Sequence, residues 1–128
     1  MTNILLADDH ELVREGVKWV LESEPHLKVR LEARDWDEVL QKVEDESIDL
    51  LVTDISMPGT SFADAMVQVV AKRPGLPILL VSTHSEDVWR RRAFELGASG
   101  YLHKSESADQ LVEAVHTVML GERYPHSD

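Results

Sequence analysis

Five short apolar segments alternate with five amphipathic stretches along this chain, and this alternation limits the possible folds more than any other feature. The apolar segments span residues 3–7, 27–33, 49–53, 77–82 and 99–103. Three of them contain unbroken apolar runs, at residues 4–6, 50–52 and 78–81. Such runs are typical of strands covered on both faces, which favours a parallel sheet. Residues 29–32 alternate apolar and charged side chains, so we place their strand at an edge of the sheet.

The stretches between these segments have the periodicity of amphipathic helices. The apolar faces comprise Val13, Val17, Val20 and Leu21; Trp36, Val39, Leu40 and Val43; Phe62, Met66, Val69 and Val70; less clearly Val88, Arg92 and Leu96; and Leu111, Ala114, Val115 and Val118. Gly75, Gly97 and Gly121 stand where three of these helices should end. Five strand–helix pairs in succession predict a doubly wound α/β domain.

Composition narrows the class of protein further. The 128 residues suit one domain, and the lack of cysteine excludes disulfides and thiolate metal sites. The chain has 24 acidic and 13 basic residues, a net charge of −11, so DNA contact would require another domain. No apolar run is long enough to cross a membrane and the N-terminus lacks a signal pattern, so we predict a cytoplasmic protein.

Polar residues collect where the predicted strands end. Asp8 and Asp9 follow the first strand, Asp54 follows the third, Ser82 ends the fourth, and Lys104 follows the fifth. Because the carboxyl ends of parallel strands meet at one edge, we expect these side chains to converge. Clustered carboxylates repel unless a cation joins them, and hard oxygen ligands select Mg²⁺ or a similar ion. A nearby amine can neutralise a transferred phosphoryl group.

Each of these residues alone has a simpler explanation. Asp9 would serve as a helix cap and Asp54 as a turn residue. Ser82 would be a strand-end hydroxyl, and Lys104 a solvated lysine. Their joint placement at strand ends favours a functional site over these separate explanations.

Four segments resemble the receiver domains of two-component response regulators. They are residues 5–10 (LLADDH), 51–59 (LVTDISMPG), 81–84 (VSTH) and 97–104 (GASGYLHK). The first and last resemble most closely the NarL/FixJ (LuxR-type) branch. The resemblance extends from residue 3 to about residue 121, and the four motifs occur in the family's order and spacing.

The resemblance implies a phosphoacceptor site. Asp54 is then the residue that becomes an aspartyl phosphate, and Lys104 contacts the phosphoryl group. Mg²⁺ or Mn²⁺ is held by Asp9, Asp54 and the backbone carbonyl of Ser56, while Asp8 acts through water or by supporting the ligands. The domain is then a switch and not an enzyme, apart from assisting its own phosphorylation and dephosphorylation.

The resemblance also implies a conformational switch. Ser82 moves toward the phosphoryl group, and Tyr101 follows by turning from an exposed to a buried position. Ser56 and His84, each two residues beyond a site residue, occupy the positions where the family tunes the lifetime of the phosphate.

The implied fold is flavodoxin-like, a (βα)₅ domain with parallel strands in the order 2-1-3-4-5. Residues 1–121 are then the receiver domain, and residues 122–128 begin a linker to an absent helix-turn-helix output domain that controls transcription. The implied partner is a histidine kinase, with no direct contact of this domain with nucleic acid or membrane.

One position departs from the family pattern. Phe62 stands where a glycine is usual near the start of the third helix, and Ala63 replaces a larger apolar residue. We interpret this as an exchange of volume between neighbours, which a core tolerates best when total volume is kept.

Other functions remain open on the sequence alone. A stand-alone receiver or pseudo-receiver would act by protein–protein contact, although Asp9, Asp54 and Lys104 are all retained. A Mg²⁺-dependent aspartyl-phosphate phosphotransferase of the haloacid-dehalogenase type usually has a second Asp two residues after its nucleophile, where this chain has Ser56. A dinucleotide-binding domain would need a glycine-rich turn after the first strand.

Two further groups of residues have competing interpretations. Leu12 and Trp19 on the first helix, with Val112 and Met119 on the fifth, either pack in the core or form a homodimer surface through these helices. The histidines have no metal-ligand spacing along the sequence, so we expect most of them to be solvated. They are His10, His26, His84, His103, His116 and His126.

Overall fold

A computed structural model describes residues 1–84 and 87–125, and these residues form strands and helices in strict alternation. The elements are β1 (Thr2–Ala7), α1 (Glu11–Glu22), β2 (Leu27–Ala33), α2 (Trp36–Lys42), β3 (Leu50–Thr53), α3 (Phe62–Lys72), β4 (Ile78–Ser82), α4 (Asp87–Glu95), β5 (Gly100–His103) and α5 (Ala108–Met119). All strand pairs are parallel, and their order is β2-β1-β3-β4-β5. The predicted fold and the edge position of β2 are therefore confirmed.

The sheet has an apolar core on each face, which explains the unbroken apolar runs. Leu5 and Leu51 face the core formed with α2, α3 and α4. Their neighbours Ile4 and Leu50 face the second core, formed with α1 and α5. Since Ile4 pairs with Leu50 and Leu5 with Leu51, successive rows of the sheet point to opposite layers. Both faces of the central strand β3 are buried, so alternation with charged residues there would bury charges.

Glycine follows α3, α4 and α5 at the predicted positions. Gly75, Gly97 and Gly121 all have positive φ angles, a conformation that favours glycine. At Gly97, a Cβ would also lie 2.8 Å from a methyl carbon of Val70. Val70 itself is 38% exposed, so the prediction that it belongs to the core face of α3 is wrong.

The predicted apolar face of α4 is also wrong in part. Val88 is 63% exposed and Arg92 lies at the surface, whereas the fully buried residue of α4 is Ala93. Trp89 and Leu96 pack at the edge of the same core. A helix that approaches the sheet through a small side chain buries a narrow stripe, and the hydrophobic periodicity of such a stripe is weak.

The apolar residues of α1 and α5 divide between core and surface. Leu12 is 87% exposed, Trp19 is 78% exposed and Val13 is 38% exposed, so core packing is the wrong interpretation for these three. Val112 is half-buried, and Met119 packs against the second core. Leu12 and Trp19 are seven residues apart and therefore lie on one side of α1.

The segment after α5 turns back along the sheet. The amide of Tyr101 donates to the carbonyl of Tyr124, and the amide of Tyr124 donates to the carbonyl of Ser99. This contact covers part of the edge of β5, opposite Gly100. None of the helices in residues 1–84 and 87–125 combines the length and apolar character of a membrane span.

Candidate functional site

Three charged side chains meet at the carboxyl ends of β1, β3 and β5. Nζ of Lys104 lies 3.0 Å from Oδ2 of Asp8 and 3.1 Å from Oδ2 of Asp54. Asp8 is 4% exposed and Asp54 is 6% exposed, so both carboxylates are nearly removed from water. A single lysine thus serves as the counterion of two buried carboxylates from different strands.

Asp9 lies on the open side of this cluster. Its Oδ1 is 3.1 Å from Nδ1 of His10, and the same nitrogen is 3.5 Å from Oδ1 of Asp8. A ligand atom from each of Asp8, Asp9 and His10 falls within 4.8 Å of the others. The side chain of Asp9 is 29% exposed and that of Asp8 is 6% exposed. A ligand from solvent can therefore reach Asp9 more readily than Asp8.

The backbone holds the carboxylate of Asp54 in one orientation. Its Oδ1 accepts a hydrogen bond of 2.7 Å from the amide of Ile55, which leaves Oδ2 to face Lys104. The amide of Asp54 donates to the carbonyl of Ala7, tying the end of β3 to β1. Both carboxylate oxygens therefore have defined surroundings before any ligand arrives.

Trp36 supports the loop that follows Asp54. Its ring is fully buried, and its indole nitrogen donates a 3.0 Å hydrogen bond to the carbonyl of Ile55. Its amide donates to the carbonyl of Pro58. We predicted Trp36 as part of the apolar face of α2, but sequence reasoning missed its contact with the site loop. The available signal was a Trp, which needs a hydrogen-bond partner when buried.

Phe62 packs beside Trp36 at the other end of this loop. The two ring centroids are 6.0 Å apart and the ring planes are inclined by 45°. Phe62 and Ala63 are both half-buried, and Phe62 contacts the core of α2, α3 and α4. The interpretation of positions 62 and 63 as an exchange of volume stays a prediction.

Neighbouring carboxylates stabilise the charged form of Lys104. Burial by itself would lower the pKa of Lys104, but hydrogen bonds and charge attraction from Asp8 and Asp54 outweigh it. The pKa of Lys104 is therefore raised above its ordinary value of 10.5, and the ammonium stays charged at neutral pH. With Asp9 included, three carboxyl groups lie around one ammonium, so acidic side chains outnumber basic ones in this cluster. An oxygen-rich cluster with this excess fits a hard divalent cation such as Mg²⁺.

Ser82 and Tyr101 meet at His84. The hydroxyl oxygen of Ser82 accepts a 2.9 Å hydrogen bond from the amide of His84, and Ser82 is fully buried. The hydroxyl of Tyr101 donates to the carbonyl of His84, with Tyr101 7% exposed. The amide of Lys104 donates to the carbonyl of Ser82. The backbone at position 84 thus links β4, β5 and the charged cluster.

The side chains of Ser56 and His84 face each other across the open side of the site. Oγ of Ser56 lies 3.4 Å from Nε2 of His84. The His84 ring stacks on Trp89 with centroids 4.2 Å apart and planes inclined by 17°. Sequence reasoning missed Trp89, because the weak periodicity of α4 gave no indication of its position. Through His84, Trp89 connects the start of α4 to this side of the site.

Comparison with known proteins gives the family. Residues 4–116 match the sequence model described as the response regulator receiver domain. The transcriptional regulatory protein DegU of Brevibacillus brevis is 36% identical over 123 residues, which cover 96% of this chain and 52% of DegU. The chain thus spans about half the length of the curated relatives it matches.

Two solved structures share both fold and sequence similarity with this chain. A two-component response regulator of the LuxR family from Aurantimonas sp. SI85-9A1 superimposes with a TM-score of 0.90 at 33% identity, covering 96% of this chain and 89% of that one. The signal receiver domain of the putative response regulator NarL from Mycobacterium tuberculosis gives a TM-score of 0.88 at 30% identity, covering 94% and 98%. The chain therefore belongs to the receiver domains of two-component response regulators, in the NarL/FixJ branch.

Proposed function

We propose that this domain accepts a phosphoryl group from a histidine kinase on Asp54. The observation that carries the proposal is the buried Asp54 carboxylate, with one oxygen held by the Ile55 amide and the other beside Lys104. The bond between phosphorus and its donor breaks as a carboxylate oxygen of Asp54 bonds to phosphorus. Lys104 is placed to contact the oxygens of the transferred group.

We assign the metal site to the acidic cluster. Asp9, Asp54 and the backbone carbonyl of Ser56 would hold Mg²⁺ or Mn²⁺, with Asp8 acting through water or by supporting the ligands. The excess of acidic over basic side chains and the accessibility of Asp9 support this assignment. The ion would neutralise the attacking and transferred oxygens.

The switch proposal rests on Ser82 and Tyr101. Phosphorylation replaces a carboxylate by a group with more negative charge and more acceptor oxygens. When the Ser82 hydroxyl turns toward that group, the amide of His84 loses its acceptor, and the segment holding the Tyr101 hydroxyl must readjust. Phosphorylation would thereby shift the face formed by α4, β5 and α5 from one of two arrangements toward the other. Tyr101 is 7% exposed, and we assign this buried position to the switched state.

Ser56 and His84 are proposed to set the lifetime of the phosphate. Their side chains border the open side of the cluster, where a hydrolytic water would approach Asp54. Stacking on Trp89 restrains the His84 ring, so access for water depends on the position of α4.

The proposed output is transcription, through a helix-turn-helix domain joined by a linker that begins near residue 122. DegU is named as a transcriptional regulatory protein, and the acidic charge of this domain is unsuited to DNA. In this proposal the domain is a switch and has no free substrate. A stand-alone receiver or a pseudo-receiver acting by protein–protein contact, and a phosphotransferase, are the alternatives that the following experiment separates.

The experiment combines acetyl phosphate and Mg²⁺ with intact-mass measurement. The wild type should gain one phosphoryl mass, and Asp54→Asn should gain none. Asp64→Asn is the matched control, because Asp64 is exposed in the first turn of α3, and it should behave as the wild type. No gain by the wild type would indicate a pseudo-receiver, and turnover of added phosphoesters would indicate an enzyme; either result contradicts the proposal.

Magnesium binding is tested separately by thermal unfolding. Mg²⁺ should raise the melting temperature of the wild type and of Asp109→Asn, an exposed carboxylate at the start of α5. Asp9→Asn should lose most of this rise. An equal rise in all three proteins would contradict the assignment of Asp9.

Self-association through α1 and α5 is a further part of the proposal. These helices pack side by side, and Leu12 and Trp19 present a large apolar area to solvent on one side of α1. Exposed apolar patches of this kind often mark interfaces.

A further inference from the structure

Two histidines that are far apart in the sequence meet on the side of the domain formed by α1 and α5. His26 lies in the turn before β2, and His116 lies in the second half of α5. Their Nε2 atoms are 2.8 Å apart. The ring centroids are 4.9 Å apart and the planes are inclined by 21°, so the rings meet nearly end to end through these nitrogens. Both side chains are exposed.

A carboxylate completes the group. One oxygen of Glu24 and one nitrogen each of His26 and His116 lie within 4.8 Å of one another. The backbone fixes two of these residues: the carbonyl of His26 accepts from the amide of Thr2, and the carbonyl of Glu24 accepts from the amide of Leu27. The donor set thus rests on ordered backbone rather than on a free loop.

We propose that Glu24, His26 and His116 form a binding site for a transition-metal ion of the zinc class. Two imidazoles and a carboxylate are a common zinc donor set, with the fourth position left to water. Imidazole nitrogen suits zinc, copper and nickel, and it suits Mg²⁺ poorly. The site would therefore select a different ion from the acidic cluster around Asp54.

The geometry requires a small adjustment of the rings. Zinc–nitrogen bonds of about 2.0–2.1 Å at a tetrahedral angle place two nitrogens about 3.3 Å apart. The Nε2 atoms must then separate by about half an ångström, and each ring must turn so that its lone pair points at the ion. Exposed histidine side chains can make this change by side-chain rotation.

The site is distinct from the proposed phosphoacceptor site. The carbonyl of His26 accepts a hydrogen bond from the amide of Thr2 at the start of β1, whereas Asp8 follows the end of that strand. Six strand residues separate the two positions by about 20 Å. A bound ion would fasten the α1–β2 turn to α5 and would act on the surface proposed for self-association. The inference does not depend on phosphorylation of Asp54.

The test uses Zn²⁺ as the probe, with Mg²⁺ in excess in every sample. Calorimetric titration should show one zinc site in the wild type and in His103→Ala, a matched control in which a histidine of β5 is removed. His116→Ala and Glu24→Gln should each weaken zinc binding by at least about tenfold. Zinc should raise the melting temperature of the wild type and leave that of His116→Ala unchanged.

The site of binding is checked by the line broadening that substoichiometric Cu²⁺ causes in amide NMR spectra. Broadening should centre on residues 24–27 and 113–119. Equal zinc affinity of the wild type and His116→Ala would overturn the proposal, because the two histidines would then form only a hydrogen bond. Broadening centred on residues 8–10 would overturn it as well.

Discussion

The ammonium nitrogen of Lys104 lies 3.1 Å from Oδ2 of Asp54, although fifty residues separate the two along the chain. The same nitrogen contacts Asp8, so one positive charge holds two buried carboxylates together. This arrangement affects stability as well as the proposed phosphoryl transfer.

Lys104→Met should lower the free energy of unfolding by about 3 kcal/mol at neutral pH, because Asp8 and Asp54 would be left buried without a counterion. The folded-state pKa of Lys104 is raised above 10.5, so its contribution is complete below pH 10.5 and is lost as pH rises through the folded-state value. Urea unfolding of both proteins, at neutral pH and well above pH 10.5, measures the difference.

The control for that measurement is Lys28→Met, an exposed lysine of β2, for which we expect a change within about 0.5 kcal/mol. A difference between the wild type and Lys104→Met that persists unchanged at high pH would contradict the ion-pair explanation.

Trp36→Phe should destabilise the domain by about 2–3 kcal/mol, because it leaves the buried carbonyl of Ile55 without its donor and creates a cavity. Trp19→Phe is the matched control, since Trp19 is 78% exposed, and it should change stability by less than about 0.5 kcal/mol. Thermal and urea unfolding give both values. Similar losses in the two variants would show that the indole hydrogen bond contributes little.

Gly100→Ala should destabilise the domain by about 1–3 kcal/mol through overpacking. A Cβ there would lie 2.8 Å from a methyl carbon of Leu79 and 2.9 Å from one of Val118, with Tyr124 O at 3.3 Å. Gly16→Ala, in the exposed interior of α1, meets nothing within 4 Å and should instead stabilise by about 0.5–1 kcal/mol. Equilibrium unfolding measures both changes in the free energy of unfolding, which we expect to have opposite signs. A stabilising effect of Gly100→Ala would refute the packing described for β5.

Self-association should depend on the exposed side of α1. In sedimentation experiments with beryllofluoride as a phosphate mimic, we expect the wild type to form dimers and the double variant Leu12→Glu, Trp19→Glu to remain monomeric at the same concentrations. Val67→Glu replaces an exposed apolar residue of α3 and should dimerise as the wild type does. Identical sedimentation of the wild type and the double variant, with and without the mimic, would remove α1 from the interface.

Much of the fold could be read from the sequence. Predicted strand bounds differ from the observed ones by one residue at β1, β3, β4 and β5, and β2 has the predicted bounds and lies at the predicted edge. A strand buried on both faces must be apolar at every position. Residues 50–52 meet this requirement, so their burial could be predicted from the local sequence. The less regular α4 was harder to predict, because its burial depends mainly on the small residue Ala93.

For the candidate site too, the sequence predicted one part and the folded structure was needed for the other. Placement of Asp8, Asp54 and Lys104 at strand ends follows from local pattern together with the geometry of parallel sheets. That Lys104 bridges both carboxylates, while Asp9 remains more exposed, required the folded chain.

The sequence by itself determined the order of the elements and which edge of the sheet would collect the polar residues. Only the tertiary structure decided which of those residues touch, that Trp36 holds the loop after Asp54, and that His26 meets His116. The physical reason is that hydrophobic periodicity indicates whether a side chain is buried, and this depends mainly on the segment to which the residue belongs. A contact between residues ninety positions apart depends on how whole helices and strands pack against one another.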